Sequence, residues 1–210
     1  MNAAVMPRLH VVILAAGFSS RLGRPKALVR VRSRSLLRRT LNLVAGLDAA
    51  KIALVLPPRA ARLRIETQGF KVVFAVNSAR AAGLSTSVRR GITVSRRSAA
   101  ILILPVDLAT LDPRDVARLI SRWRAARRRL VARRIAGPPG APDGGTPLIL
   151  PRWLYTRALG VTGDTGLREL VRTLPAQQRA MLDLPSATLD VDTSADLRTA
   201  RRQRRTQTNS

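Results

Sequence analysis

Short apolar runs alternate with longer amphipathic stretches along most of the chain. The runs at 11–15, 52–56, 72–76 and 101–104 have no polar interruption, the pattern of strands covered on both faces. Shorter runs at 130–132, 148–150 and 187–191 are further strand candidates. Between the runs the spacing turns helical. The clearest case is 112–129, where Val116, Leu119, Ile120 and Trp123 recur at i, i+3, i+4 and i+7 on one face. Asp112 suits its N-cap and Pro113 its first turn. Strand and helix in alternation predict an α/β fold with helices on both sides of a mainly parallel central sheet, a three-layer α/β/α arrangement.

The segment 136–147 is rich in glycine and proline and reads as a hairpin tip, because an apolar stretch follows at once. Residues 201–210 carry no apolar face and are expected to form a disordered basic tail. The expected organisation is therefore one domain over 1–200 followed by that tail. With 210 residues, 46% of them hydrophobic, the chain can bury a substantial core. No apolar run approaches the roughly 20 residues of a membrane span. The N-terminus MNAAVMPRLH is too short and weakly charged for a secretory signal. A cytoplasmic protein that neither enters nor binds a membrane is expected.

Cysteine is absent, which excludes disulfides and thiolate metal sites. His10 is the only histidine, so histidine-rich metal sites are excluded and a histidine-based triad is disfavoured. The formal net charge of +26 suggests a polyanion partner. However, all but three of the 38 basic residues are arginine, and they spread over several predicted helices. Aromatic residues make up only 3%, so no platform for stacking bases is evident. No specific nucleic-acid partner is expected.

The stretch VVILAAGFSSRLGRPKALV, 11–29, carries the first chemical signal. A buried strand leaves through Ala15, Ala16 and Gly17, where a ligand can approach the backbone. Ligands of open α/β sheets sit beyond the carboxyl ends of strands. Arg21 adds a planar donor fork and Lys26 a compact charge. These residue types describe a polyphosphate site for a nucleoside triphosphate; a plain surface loop is the competing reading. The loop matches neither GxGxxG nor GxxxxGK[ST].

The full pattern LAAG-x-S-S-R-L-G-R-P-K resembles the signature of the MobA-like nucleotidyltransferases, nearest to the molybdenum cofactor cytidylyltransferase branch. The match lies at Leu14, Ala15, Ala16, Gly17, Ser19, Arg21, Gly23, Pro25 and Lys26. The resemblance implies a Rossmann-like nucleotidyltransferase fold in which this loop holds the triphosphate. Arg21 and Lys26 would then contact its phosphates and the leaving pyrophosphate. The segment 74–92 is similar to the family's N…GLSSSL..G stretch at Asn77, Gly83, Leu84, Ser85, Ser87 and Gly91, implying base and ribose contacts. From the residues alone, Ser85, Thr86 and Ser87 also suit a helix N-cap and first turn.

Asp107 ends the run 99–111, where a carboxylate is costly unless it is paired or metal-bound. The family has GD-x-P here, and its aspartate binds the catalytic Mg²⁺. This chain has Val106, Leu108 and Ala109 where Gly, a polar residue and Pro are usual. Asp107 could alternatively cap the following turn. Segment 145–171 is similar to the family's acceptor-facing GHP…GD-x-G-x-R, at Gly145, Pro147, Pro151, Gly163, Asp164, Gly166 and Arg168, with Thr146 in place of histidine. Thr146, Pro147 and Asp164 thus become candidate acceptor contacts, Asp164 also suiting a helix cap. Segment 189–200 is similar to D-I-D-T-P-E-D-L, which maps a second metal ligand to Asp192, with Asp190 as the alternative and a helix N-terminus as the competing reading.

The resemblance spans about residues 9–200. It implies transfer of CMP from CTP to the terminal phosphate of molybdopterin with Mg²⁺ as cofactor. Arg21, Lys26 and Asp107 would carry the catalysis. Ala16 points to CTP, because guanylyl-transferring relatives read LAGG. Two other readings stand: transfer from GTP or to another phosphorylated acceptor, and a nucleotide-binding maturation factor for a molybdenum hydroxylase, without turnover.

Overall fold

The structure is a computed structural model that describes residues 8–18, 22–126, 128–136, 143–163, 166–187, 189–193 and 195–200. Seven strands form one sheet: β1 (Leu9–Leu14), β4 (Lys51–Leu56), β5 (Val72–Val76), β6 (Ala100–Pro105), β7 (Leu130–Ile135), β8 (Asp143–Pro151) and β9 (Arg179–Leu182). Their order across the sheet is β5-β4-β1-β6-β8-β7-β9. Pairings of β1 with β4 and β6, β4 with β5, and β7 with β9 are parallel; β8 runs antiparallel to both its neighbours. A short hairpin, β2 (Arg30–Val31) and β3 (Arg34–Ser35), stands apart from the sheet.

Alternate side chains of each strand enter opposite layers. Val11 and Ile13 join Leu37, Leu41 and Val44 of α1 (Leu36–Ala45), Leu63 of α2 (Ala61–Ile65) and the apolar stripe of α4 (Pro113–Ala125). Val12 and Leu14 join Val88 and Ile92 of α3 (Leu84–Ser95), Ala158 of α5 (Tyr155–Leu159) and Leu170 of α6 (Gly166–Thr173). This is the expected three-layer α/β/α architecture with a mainly parallel sheet. Among the described residues no helix is long and apolar enough to cross a membrane.

Asp112 caps α4 as its sequence predicts, accepting from the Arg114 amide at 2.7 Å, and Val116, Leu119, Ile120 and Trp123 are all buried. The same helix start is clipped to a distant turn. Buried Asp115 accepts from the Ser186 amide (2.9 Å), the Ser186 hydroxyl (2.6 Å) and Arg118 (3.0 Å). Burial pushes its carboxyl up, but the Ser186 and Arg118 bonds outweigh burial and hold it below the usual range. A group with a depressed pKa stabilises the fold above its unfolded pKa, and the gain is lost as pH falls through the folded value. Asp115→Asn should therefore cost about 2 kcal/mol at neutral pH. The cost should shrink as pH falls below about 4, a trend that urea unfolding across this range reads directly.

Two expectations change at the far edge. The described residues of the run 187–191 form no sheet strand; Pro185–Ala187 is a 3-10 turn and Asp190 makes one isolated bridge with Leu108. The edge strand is β9, whose Arg179 start hides it from a periodicity search. Residues 143–147, expected in a loop, belong to β8. A Cβ on Gly145 would sit 2.3 Å from Ile135 Cδ1, so any larger residue there would require the Ile135 side chain to turn aside. Tip residues 137–142 and the basic tail 201–210 lie outside the described residues.

Candidate active site

The chain runs from β1 outward through β4 to β5, then returns to β6 on the other side of β1. The reversal point lies between the carboxyl ends of β1 and β6, where open α/β sheets bind ligands. A cleft of about 360 Å³ opens there, walled by Leu14, Ala15, Ala16 and Gly17 after β1 and by Val106 and Asp107 after β6. A Cβ built on Gly17 meets nothing within 4 Å, so the backbone is open to a ligand.

Lys26 enters this cleft from a single 3-10 turn, Lys26–Leu28, closed by Leu28 N–H to Pro25 O at 2.9 Å. Ala27 is buried, which fixes the turn. The Lys26 ammonium donates to Asp107 Oδ2 at 2.9 Å and Asp192 Oδ1 at 2.5 Å. Burial works against its charge, but Asp107 and Asp192 outweigh burial and raise its pKa above the usual lysine range. Two carboxylates 166 and 81 positions away in sequence thus converge on one cation.

Backbone pairing holds both carboxylates. Val106 N–H donates to Leu14 O at 3.3 Å, and Val191 N–H donates to Asp107 O at 3.1 Å. Val106, Leu108 and Ala109, the departures from the family pattern, are all buried in the core. They anchor the loop by packing. Val191 joins Val29, Val31 and Leu36 in a third apolar cluster that pins the 191–192 segment to the β2–β3 hairpin.

The competing reading of Asp192 as a helix cap is resolved by its neighbours. Thr193 Oγ1 accepts from Asp196 N–H at 3.2 Å, while Asp196 Oδ2 accepts from Thr193 N–H at 2.7 Å. This reciprocal pair caps helical residues 195–200, leaving Asp192 to face Lys26. Asp190 instead lies 3.8 Å from Arg133. Burial first, then the charge of Asp107, pushes its carboxyl above the usual range, with Arg133 opposing.

A divalent cation fits this donor set. An ammonium already stands between Asp107 and Asp192, and hard oxygen ligands from one or two carboxylates plus phosphates are what Mg²⁺ takes. Among the described residues no three His, Cys, Asp or Glu side chains are placed to share a metal, so substrate oxygens would complete the shell.

The β5–α3 wall differs in detail from the sequence expectation. Gly83, at φ 95°, is the N-cap of α3 and lines the cleft with Ser87. Its conformation strongly favours glycine. Asn77, expected on the nucleotide, is buried behind this wall. Its amide donates to Thr86 Oγ1 and Ser87 Oγ, both at 2.9 Å, and its carbonyl accepts from Ala79 N–H. Ser85, also expected there, is buried with its amide on Gly163 O at 3.1 Å. Asn77 braces α3 through its bonds, whereas the buried Ser85 hydroxyl makes no hydrogen bond among the described residues. Because Ser87 Oγ accepts from Asn77, its own proton can be donated into the cleft.

Thr146 and Pro147 lie on β8 beside the end of β6, and Thr146 O accepts from Arg133 at 3.5 Å. They flank the cleft rather than line it. Ser19, Arg21 and Asp164 lie outside the described residues. Sequence reasoning missed Phe18 and Arg80, which both line the cleft, and Arg133 beside Asp190. Phe18 had one available signal, a large aromatic within a loop of small residues.

Comparison with known proteins agrees with this geometry. Residues 11–180 match the family model described as the MobA-like NTP transferase domain. A probable molybdenum cofactor guanylyltransferase of Rhodopirellula baltica is 28% identical over 204 residues, covering 94% of this chain and 93% of its own. The structure of Rv0371c from Mycobacterium tuberculosis is 27% identical, with a TM-score of 0.72 over 92% of this chain and 97% of its own. A complex of that protein with manganese is 26% identical, with a TM-score of 0.68 over 92% and 97% of the respective chains. A family-model match over most of the chain, on a cleft built from the same loop, places this protein among the MobA-like NTP transferases.

Proposed function

We propose that this nucleotidyltransferase moves CMP from CTP to the terminal phosphate of a molybdopterin-type acceptor, releasing pyrophosphate. The observation that carries the transfer chemistry is the convergence of Asp107 and Asp192 on Lys26 beside an open, small-residue backbone. An acceptor phosphate oxygen forms a bond to the α-phosphorus, and the bond from that phosphorus to the bridging oxygen of the β-phosphate breaks. Lys26, with Arg21 by resemblance, offsets charge gathering on the leaving pyrophosphate. The acceptor phosphate is already ionised at neutral pH, so no histidine base is required. Asp107 and Asp192 would hold Mg²⁺, which would draw phosphate oxygens together and reduce their repulsion. The manganese complex of Rv0371c supports a divalent cation.

The nucleotide has a second reading. Ala16 favours CTP, whereas the guanylyltransferase name of the Rhodopirellula relative favours GTP. The molybdopterin-type acceptor is supported by the same name. Calorimetric titration with CTP and GTP, each with Mg²⁺, followed by turnover with molybdopterin, tests the whole reading. CTP preference with pyrophosphate release is expected. GTP preference would move the assignment to guanylyl transfer, and binding without turnover to a nucleotide-binding maturation factor. No binding of either nucleotide would overturn the proposal.

A further inference from the structure

The Arg80 guanidinium lies over the Phe18 ring, 4.1 Å from its centroid, and its Nη1 donates to Ala16 O at 3.5 Å. Both side chains line the nucleotide cleft. Among the described residues no carboxylate pairs with Arg80. Phe18 is 56% exposed, and its ring face is open to the guanidinium. The ring holds the guanidinium flat. A stacked guanidinium retains its in-plane donors and loses rotational freedom, so each hydrogen bond it forms costs less entropy.

The position of the pair suits the base. Arg80 follows β5, and Asp107 follows β6, with β4 and β1 between them. The Arg80 side chain reaches back to Ala16 O and, with Gly83 and Ser87, forms the β5–α3 wall of the cleft that Lys26 and Asp107 also line. A nucleotide whose phosphates meet Lys26 and Asp107 would have this wall for its other end.

We infer that the Phe18-stacked Arg80 fork reads the base of the bound nucleotide, selecting bases that present two adjacent acceptors. Cytosine offers O2 beside N3, and guanine offers O6 beside N7. Uracil places an N3–H between its carbonyls, and adenine places its N6 amino group beside N7. A two-pronged donor thus accepts cytosine or guanine and meets a donor on uracil or adenine. The inference rests on the nucleotidyltransfer reading. It adds a specificity residue that serves whether CTP or GTP is the substrate.

The test is calorimetric binding of CTP, UTP, GTP and ATP, each with Mg²⁺, to wild type, Arg80→Ala and Arg80→Lys. Wild type should prefer CTP over UTP, or GTP over ATP, by roughly tenfold to a hundredfold. Both variants should bring that ratio close to one. Lysine keeps the charge but lacks the fork, so it separates base reading from simple attraction to phosphate. A wild-type ratio near one, a ratio preserved in Arg80→Ala, or a ratio preserved in Arg80→Lys would overturn the inference. Equal loss of affinity for all four nucleotides, with the ratio intact, would make Arg80 a phosphate contact and also overturn it. Wild type binding none of the four would sink the nucleotidyltransfer reading itself, a different result from binding without discrimination.

Discussion

Asp107→Asn is expected to lower turnover by about a thousandfold while leaving the protein folded. The reason is electrostatic. Asparagine keeps the shape and the loop's backbone bonds to Leu14 and Val191. It removes a negative charge that faces a cation in a partly enclosed cleft. Losing one such group in a preorganised site typically costs about a hundredfold to a thousandfold in rate, and the metal-holding role proposed for Asp107 would add to that. The measurement is pyrophosphate release at saturating nucleotide over a range of Mg²⁺ concentrations. A variant whose rate recovers at high Mg²⁺ has lost metal affinity alone; one whose rate stays low has lost transition-state stabilisation. A rate within threefold of wild type at all Mg²⁺ concentrations would remove Asp107 from the catalytic machinery.

Lys26→Met should move two quantities in opposite directions. Without nucleotide, the ammonium competes with any metal for Asp107 and Asp192. Removing it leaves two carboxylates facing each other without compensation, an arrangement that draws in a divalent ion. Asp192 is half exposed, so screening limits the gain, and Mn²⁺ alone should bind about tenfold tighter. With nucleotide, the same change strips a cation from the phosphates, and turnover should fall by about a hundredfold. Titration of Mn²⁺ by its paramagnetic effect on water relaxation, paired with a turnover assay, reads both arms. Weaker Mn²⁺ binding in the variant would show that Lys26 supports the metal site instead of competing for it.

The sheet and the first wall of the cleft were legible in the sequence because both depend on local pattern. The uninterrupted apolar runs at 11–15, 52–56 and 101–104 are strands inside the sheet, as their pattern suggests. The run 72–76 is also a strand, but it lies at the sheet edge with Val73 and Val76 exposed, so its expected burial on both faces does not hold. The small residues after the first run, with Lys26 eleven positions beyond Ala15, mark a loop open to a ligand without any tertiary information. What escaped depends on contacts across the fold. Residues 189–192 alternate apolar and acidic positions, a strand period. Yet Val191 packs against the β2–β3 hairpin, and only the Leu108–Asp190 bridge is made. Asn77 is expected on the nucleotide through the family resemblance alone; only the approach of Thr86 and Ser87 reveals that its amide donors are engaged within the fold. Arg80 was hidden by composition. In a chain so rich in arginine, one more reads as solvated charge until Phe18 is found beneath it.

The tether between Ser186 and Asp115 has a consequence for biosynthesis. It fixes the turn from which the 190–192 segment departs, and that segment supplies Asp192. Every strand of the sheet is synthesised before this segment, because β9 ends at Leu182. The carboxylate pair is therefore completed by a segment made after every strand, and the Ser186–Asp115 tether is what brings that late-made segment back to Lys26 and Asp107.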